Sequence, residues 1–230
     1  MKTIYSLLAM LLTVLLAGCA SNGDPRDPLE PMNRAIFSFN DKVDRIVMKP
    51  VAKGYRTVMP GFAQTGVRNF FSNLNDVTVL ANDILQLKLQ GSSTDVLRLG
   101  VNSTFGFLGL LDIASEMRLS KRDQDFGLTM ARWGVGNGPY LELPFLGPSN
   151  FRDAAGSLVD TEYADPVQQI NRIATRNQAW VVRTISRRAD LLGAAKTIEE
   201  AALDPYEFTR DLYLERRRSQ VYGGTPPAVE

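Results

Sequence analysis

Histidine is absent from the 230-residue sequence, and cysteine occurs only once. Without histidine the chain cannot build a serine–histidine catalytic pair or a histidine zinc site, and it has no imidazole for acid–base catalysis. A single cysteine permits neither an internal disulfide nor a thiolate metal cluster. These absences exclude the most common hydrolase and metalloenzyme chemistries, and we expect no metal site.

Nucleotide-binding and nucleophile-elbow motifs are missing as well. There is no G-x-x-x-x-G-K-[S/T] loop and no G-x-S-x-G turn. The glycines at 134, 136 and 138 resemble a dinucleotide fingerprint only superficially, because Pro139 stands where a third glycine is needed and Pro144 prevents the helix that should follow. We therefore expect no nucleotide cofactor and no ATP-driven activity of the chain itself.

Carboxylates are the remaining candidates for catalysis. A glycosidase-like acid–base pair would have to come from residues such as Asp123, Asp125, Glu142 and Asp153. Nothing in their spacing singles out two of them, and helix capping and ion pairing are the more common roles of such residues. The sequence indicates that the protein is not an enzyme.

Charge of either sign is not in excess. The chain has 26 basic and 25 acidic residues. The only charged residue of the predicted leader is Lys2, so the chain without its leader has equal numbers of basic and acidic residues. Nucleic-acid-binding domains usually carry a basic excess, so we expect no nucleic-acid partner.

The N-terminus has the pattern of a bacterial lipoprotein leader. Met1-Lys2 precedes an apolar run at 4–16 that is too short to span a membrane, and Leu16-Ala17-Gly18-Cys19 resembles a lipobox. The only cysteine stands at the position that receives diacylglycerol. We predict a signal peptide at 1–18 and a lipidated tether at 19–26; a buried cysteine after an ordinary signal peptide is the alternative.

Acylation of Cys19 would anchor the chain without a transmembrane helix. Diacylglycerol and acyl groups together supply more than one chain, which is what stable anchoring requires. The following Ala20-Ser21 lacks the aspartate that retains lipoproteins of Gram-negative bacteria at the inner membrane. By that resemblance we expect the protein on the periplasmic side of the outer membrane.

Helical periodicity covers nearly the whole mature chain. Apolar residues at spacings of three and four predict helices at 29–49, 51–58, 62–74, 77–87, from 92 onwards, 126–133, 151–159, 165–192 and 204–222. Pro50 is expected to end the first. Asp27, Asp125, Ser149 or Asn150, and Asp204 are the predicted N-caps. No segment alternates over a strand length, so we predict an all-α domain at 27–222 and a disordered tail at 223–230.

Residues 99–111 form the longest run of the mature chain without a charge. As a helix the run would cover roughly 20 Å, less than the hydrocarbon core of a bilayer. Its glycines favour a helix–turn–helix hairpin whose tip consists of Phe105, Gly106, Phe107, Leu108, Gly109 and Leu110. The tip is interpreted either as a buried connector or, in a lipid-anchored protein, as a lipid contact.

Glycine and proline interrupt the helical pattern between residues 134 and 148. We predict a short irregular crossing between helices, in which Trp133, Tyr140 and Phe145 pack against core or acyl chains. Further on, four arginines fall on one stripe of a predicted helix: Arg172, Arg176, Arg183 and Arg187. The stripe is either a solvated face or a contact for anionic headgroups or an acidic partner.

Several runs together resemble the MlaA (VacJ) family of outer-membrane lipoproteins. They are residues 27–34 with Phe39-Asn40, residues 102–112, Arg152-Asp153, residues 204–206 and a glycine–proline signature made of Gly134, Gly136, Gly138, Pro139, Tyr140, Pro144, Gly147 and Pro148. The resemblance implies a ring-like arrangement of amphipathic helices in one membrane leaflet, with an amphipathic channel through its middle. It also implies association with a trimeric porin and a soluble periplasmic lipid carrier.

The resemblance implies passive removal of misplaced phospholipids from the outer leaflet, which maintains lipid asymmetry. Our hypothesis for this sequence is that the apolar tip at 105–110 lies at the channel and gates it. Two other classes stay open: a lipoprotein enzyme that uses a carboxylate pair, and a structural porin-associated lipoprotein without transport activity. A lipid that crosses needs a polar path for its headgroup, because charge is costly in hydrocarbon.

Overall fold

The computed structural model describes residues 24–227, except for the side chains of 199–201. The prediction that Cys19 is lipidated lies outside the described residues, as does the predicted signal peptide. The elements are α1 (Glu30–Val43), a π-helical turn π1 (Asp44–Met48), α2 (Lys49–Val58), α3 (Gly61–Leu85), α4 (Leu89–Thr104), α5 (Ile113–Glu116), α6 (Phe126–Arg132), β1 (Tyr140–Leu143), β2 (Gly147–Asn150), α7 (Phe151–Val159), a second π-helical turn π2 (Asp160–Ala164), α8 (Ile173–Asp190), α9 (Leu192–Ala201) and α10 (Pro205–Val221).

The first helix does not end before Pro50, so that prediction was wrong. The chain stays helical from α1 through π1 into α2, where Pro50 occupies the first turn. Within π1 the Lys49 N–H bonds to the carbonyl of Asp44, five residues back. Because the widened turn starts a new helical segment at Lys49, the missing N–H of proline falls where an α-helix would leave it unpaired.

α3 and α4 form the longest helix pair of the fold. The predicted helices at 62–74 and 77–87 are one continuous helix, α3, which packs along α4. Gly91 falls between two of the predicted helices, at 77–87 and from 92 onwards, but it lies inside α4. A Cβ at that position would stand 1.9 Å from Nη1 of Arg122. Gly91 therefore leaves room for a guanidinium that reaches into the helix pair.

The glycine–proline crossing is a regular antiparallel hairpin rather than an irregular segment. Tyr140 pairs with Asn150 and Leu143 with Gly147. The strands are four residues long and the inward positions of β1 are Tyr140 and Glu142. Alternation of apolar residues could not reveal such a strand, because its buried face carries a carboxylate. The prediction of an all-α domain is therefore confirmed only in part: the described chain is mostly helical and contains this two-stranded hairpin.

Three of the predicted N-caps are confirmed and one is wrong. Asp125, Asn150 and Asp204 each accept a backbone N–H of the following helix. Asp27 caps nothing: α1 begins after Leu29 without a side-chain cap, and the fully buried Asp27 carboxylate accepts from Asn33 at 2.7 Å and from the hydroxyl of Tyr206. This aspartate links the start of the domain to α10.

α8 starts later than its sequence pattern predicts. The segment before Ile173 forms turns that bury Val167, and the Asp165 carboxylate accepts the Val167 N–H at 3.0 Å. The same carboxylate pairs with Arg183 at 2.8 Å. Aspartate thus stabilises a local turn that competes with the first two turns of the expected helix.

The interior of the described residues is polar. Twenty of their polar or charged residues are buried, against nine hydrophobic ones, whereas many large hydrophobic side chains are exposed, including Val58 and Phe62 at more than four-fifths. Water-soluble domains show the opposite distribution, and extensive exposed apolar surface marks contact with a membrane or a partner. Within 24–227 no helix combines the length and hydrophobicity that crossing a bilayer requires.

Asp83 is a fully buried carboxylate whose titration should be measurable. It lies 2.5 Å from Nη2 of Arg122, which also pairs with the buried Asp95 at 2.7 Å; Lys88 is the other nearby cation. Burial, followed by a hydrogen bond with Asp95, raises the pKa of Asp83 from 3.8 to about 6. Between these values the folded chain keeps a proton that the unfolded chain has released.

Stability should therefore fall as pH rises through the window from 3.8 to about 6. We expect Asp83→Asn to remove about 1–3 kcal/mol of this pH dependence. The check is the free energy of unfolding of both proteins, measured across the window. Parallel curves for wild type and variant would show that Asp83 does not titrate in this way.

Candidate functional site

Two adjoining cavities lie against the α1–π1–α2 segment. The opposite wall is α8 in the first cavity, and α9 and α10 with Arg188 of α8 in the second. The larger has a volume of about 610 Å³, and its walls are almost entirely apolar. Side chains from both helical walls and from the hairpin turn contribute, among them Val47, Val51, Phe145, Trp180, Val181 and Ile185. A cavity of this size and polarity suits an extended apolar ligand.

The second cavity is more polar and has a volume of about 560 Å³. Charged side chains from both sides reach it, namely Asp41, Asp44, Arg45, Lys49, Glu142 and Arg188. It shares Asn40, Asp44 and Arg188 with the apolar cavity. The two cavities are therefore adjacent, and together they are named the two-part cavity below.

An ion pair marks the boundary between the two parts. Arg188 of α8 donates from Nε and Nη2 to the two carboxylate oxygens of Asp44 in π1, at 2.6 and 2.7 Å. The pair is only partly exposed, at 15% for Arg188 and 29% for Asp44. Such a bidentate pair has fixed geometry, so it places one cation and one anion at the junction of the apolar and polar parts.

Asparagines on α1 attach the β1–β2 hairpin to the α1–π1–α2 segment. Asn33 donates to the Tyr140 carbonyl at 3.1 Å and accepts the Glu142 N–H at 2.9 Å. Two turns later Asn40 donates to the Leu143 carbonyl at 2.9 Å and accepts the Phe145 N–H at 2.8 Å. Side-chain amides thus continue the sheet hydrogen bonding that β1 lacks on its outer edge.

Glu142 completes this attachment from inside the hairpin. Its carboxylate is 3% exposed and accepts from the Tyr140 hydroxyl at 2.6 Å and from Asn40 at 3.1 Å. Burial raises the pKa of Glu142, and these two hydrogen bonds oppose the rise. The group therefore serves to position the hairpin beside the polar part of the two-part cavity.

The hairpin turn projects a phenylalanine over the apolar part. Phe145 has a φ of 64°, is 71% exposed and meets Phe39 edge to face at 5.2 Å. A bulky residue in the left-handed region is strained and persists only when its surroundings hold it. The Asn40 hydrogen bond to its N–H supplies that restraint.

A buried ionic cluster fastens the other end of the hairpin to α10. Arg217 donates to Asp153 at 2.7 Å and to both oxygens of Asp125 at 2.6 and 2.9 Å. Tyr213 and Asn150 also donate to Asp153, at 2.6 and 2.7 Å. Two of the carboxylates considered as catalytic candidates are therefore structural anchors.

The signature residues have distinct structural roles. Gly134 comes directly after Trp133, the C-cap of α6, with a φ of 91°, which only glycine adopts readily. Gly138 has a φ of 66° with Phe151 close by. Tyr140 is fully buried, Pro144 lies in the hairpin turn, and Gly147 and Pro148 begin β2. The Pro139 carbonyl accepts from Phe151 at 3.2 Å. Nothing in the structure explains the glycine at 136.

Of the aromatic residues predicted to pack at the crossing, Tyr140 lies in the core. Trp133 and Phe145 are mostly exposed, at 56% and 71%. Trp133 meets Phe126 edge to face at 5.5 Å, and Phe145 lines the apolar part of the two-part cavity. The residues that line the two-part cavity could not be recognised in the sequence, because they come from segments that are far apart in the chain. Asp44 and Arg188, for example, are separated by 144 positions.

The predicted gate residues form a tight turn between α4 and α5. Phe107, Leu108 and Gly109 all have positive φ, and Phe105, Phe107 and Leu108 are at least 70% exposed. The turn packs on α3, where Asn69 donates to the Leu110 carbonyl at 3.2 Å. None of its residues lines the two-part cavity. The gating role stays a prediction.

Gly109 should be intolerant of substitution, unlike Gly100 in the preceding helix. A Cβ on Gly109, at a φ of 89°, would meet the Asn73 Cβ at 2.5 Å, whereas a Cβ on Gly100 would meet nothing within 4 Å. We expect Gly109→Ala to lower the free energy of unfolding by about 1–3 kcal/mol. Gly100→Ala should raise it by about 0.5–1 kcal/mol. Denaturant titration of both variants tests this, and equal effects would contradict it.

No group of acidic or cysteine side chains in the described part of the chain could hold a metal ion. The two-part cavity is defined by its shape, its apolar surface and the ion pairs Asp44–Arg188 and Asp41–Arg45. It can accommodate a molecule that is apolar at one end and charged at the other.

The chain matches the family described as MlaA lipoprotein over residues 25–220. The intermembrane phospholipid transport system lipoprotein MlaA of Escherichia coli (strain K12) is 34% identical over 232 residues, which cover 97% of this chain and 91% of the relative. The protein of the same name from Haemophilus influenzae is 30% identical, with 97% of this chain and 93% of the relative covered.

A solved structure supports the same relationship. It comes from work on the structural basis for maintenance of bacterial outer membrane lipid asymmetry, and it aligns with a TM-score of 0.73 at 32% identity. The alignment covers 86% of this chain and 99% of the other. This chain belongs to the MlaA lipoprotein family.

Proposed function

We propose that this protein is the lipid-anchored outer-membrane component of a phospholipid transport system. In this role it gives mislocalised outer-leaflet phospholipids a passive path towards a periplasmic carrier, and so maintains lipid asymmetry. The observation that carries the proposal is the two-part cavity, whose apolar part adjoins a polar part at the Asp44–Arg188 pair. A phospholipid has the same division into acyl chains and a charged headgroup.

The charges of the polar part would lower the free-energy cost of moving a lipid headgroup through the membrane. Moving a phosphate through hydrocarbon is costly unless polar groups replace its water. Arg188, Arg45 and Lys49 line the polar part, where Arg188 pairs with Asp44 and Arg45 with Asp41, so this part carries charges of both signs. The family's named relatives are phospholipid transport lipoproteins, which agrees with this use of the cavity.

The distribution of apolar surface supports placement within one leaflet. A polar interior with exposed apolar helices suits surroundings of acyl chains, and a lipidated Cys19 would hold the chain on the periplasmic side of the outer membrane. In this proposal residues 1–18 are the signal peptide, 19–26 the tether, 27–222 a ring-like helical domain and 223–230 the tail.

Two partners complete the proposed route. A trimeric outer-membrane porin would hold the domain laterally, and a soluble periplasmic carrier would take the lipid from the exit. The exposed turn at 105–110 stays a candidate gate, since its apolar side chains are free to contact lipid or the porin.

The proposal is tested in a deletion strain complemented with the wild-type or the Cys19→Ala form. We expect deletion to raise outer-leaflet phospholipid, wild type to restore it, and Cys19→Ala to fail although the protein is made and folded. Surface phospholipid is measured by accessibility to an external lipase. A deletion without any rise, or full rescue by Cys19→Ala, would contradict the proposed function or its anchor.

A further inference from the structure

A third, smaller cavity lies on the opposite face of α8 from the two-part cavity. It has a volume of about 180 Å³ and shares no lining residue with the other two. α8 contributes Arg183, Ser186, Arg187 and Asp190, while Arg68, Ser72 and Asn75 come from α3. Its volume is below that of pockets for drug-sized molecules, so it suits a small group and not a whole lipid.

Cationic side chains outnumber anionic ones in its walls. The cations are Arg68, Lys121, Arg183 and Arg187, and the anions are Asp123 and Asp190. The surface around this cavity is therefore more positive than the chain as a whole, whose net charge is +1. Converging cations with hydroxyl and amide neighbours are typical of sites for oxyanions.

Two of the four cations are already held by carboxylates. Lys121 pairs with the buried Asp76 and donates to the Ser72 carbonyl at 3.1 Å, and Arg183 forms two hydrogen bonds with Asp165 at 3.0 and 2.8 Å. Their side chains are fixed at the wall of the cavity. They contribute charge there without needing to move.

The other two cations are available for a ligand. Arg68 contacts Asp190 at 3.4 Å with both side chains well exposed, which is a weak pair. The Arg187 guanidinium has no hydrogen-bond or ion-pair partner among the described side chains. Although Arg187 reaches solvent, burial lowers its pKa and the charge of Arg183 adds to the lowering. An anion in the cavity would stabilise the charged form of Arg187 and so offset the effects of burial and of Arg183 on its pKa.

We propose that this cavity binds a phosphate group, with Arg187 and Arg68 as the donors and Arg183 and Lys121 as fixed neighbouring charges. The group comes either from a glycerophospholipid headgroup or from inorganic phosphate. The inference does not depend on the proposed transport function, because none of its residues lines the two-part cavity.

The test compares two arginines of α8 in the full-length, lipid-modified protein. Arg187→Gln removes the free donor, while Arg176→Gln removes a charge from the same helix outside the cavity. Binding of inorganic phosphate, and separately of dihexanoyl phosphatidylglycerol below its micelle concentration, is measured by calorimetry at constant ionic strength. We expect Arg187→Gln to weaken binding roughly tenfold or more, and Arg176→Gln to leave it unchanged.

The two probes identify the source of the phosphate. Binding of inorganic phosphate that depends on Arg187 supports a site for the free anion. Binding of the short-chain lipid alone, with the same dependence, supports a headgroup site. Absence of binding with both probes, or equal weakening by the two substitutions, would overturn the proposal.

Discussion

Val181→Trp is expected to raise outer-leaflet phospholipid to the level of the deletion strain. Val181 lies on the wall of the apolar part, and an indole at this position would project into the space that acyl chains are proposed to use. The residue is 46% exposed, so the larger side chain enters the cavity without disrupting a packed core. The phenotype should therefore appear with normal protein levels and a normal unfolding temperature.

Val182→Trp is the matched control for this prediction. Val182 is the next residue of α8 and is 40% exposed, but it does not line the cavity. It should behave like wild type in the same surface-phospholipid assay. Loss of function in both variants would indicate a general perturbation of α8, and normal function of Val181→Trp would exclude the apolar part as the lipid path.

Arg217→Met is expected to lower the free energy of unfolding by about 3–5 kcal/mol, the usual cost of removing one partner from a buried ion pair. Arg217 has a side chain only 9% exposed and holds Asp153, which is 8% exposed. Methionine would leave that carboxylate with the neighbouring guanidinium of Arg152 and the Tyr213 hydrogen bond, but without the charged hydrogen bond from Arg217. Urea titration at neutral pH measures the loss.

The effect should depend on pH in a defined direction. Burial would raise the pKa of Asp153, but the hydrogen bonds and charge of Arg217 hold it below 3.8. The contribution of a carboxylate with a lowered pKa is present above its unfolded pKa and is lost as pH falls through the folded one. Wild type and Arg217→Met should therefore converge in acid.

Arg216→Met is the control for the same helix. Arg216 is 66% exposed on its side chain and contacts Asp123 at only 3.4 Å, so its removal should change stability by less than about 0.5 kcal/mol. Equal losses from the two substitutions would contradict the assignment of a structural ionic cluster to Arg217.

Local features of the fold were predictable from sequence. The caps at Asp125, Asn150 and Asp204 are confirmed because capping involves residues only two or three positions apart. Asp27 has the same motif as Asp204 but was misassigned. Its carboxylate bonds to a tyrosine 179 positions away, and such tertiary contacts override a local preference.

The β1–β2 hairpin and the α1–π1–α2 segment show where hydrophobic periodicity fails to predict secondary structure. Four-residue strands with a buried glutamate carry no apolar alternation, and Pro50 is accommodated by a π-helical turn that the rule for residues preceding proline does not foresee. The interior could not be predicted from hydrophobicity either, since this chain buries mostly polar groups.

The candidate site itself was not predictable. Its walls come from four separate segments, 37–51, 142–148, 180–198 and 205–209, and the Asp44–Arg188 pair joins residues that no motif connects. Asn33 and Asn40 were recognisable only as part of a polar helix face; their spacing of seven, which places them two turns apart, was the available signal for a common partner. The runs that carry the family resemblance include Asn33 and Asn40, but neither Asp44 nor Arg188.

The most direct test of the two-part cavity uses a phospholipid with a photoactivatable group in its acyl chain. After crosslinking to the full-length protein in membranes, labelled peptides are identified by mass spectrometry. We expect label on residues 43–51 and 180–191, lost in Val181→Trp and retained in Val182→Trp. Label confined to the exposed turn at 105–110, or unchanged by Val181→Trp, would contradict it.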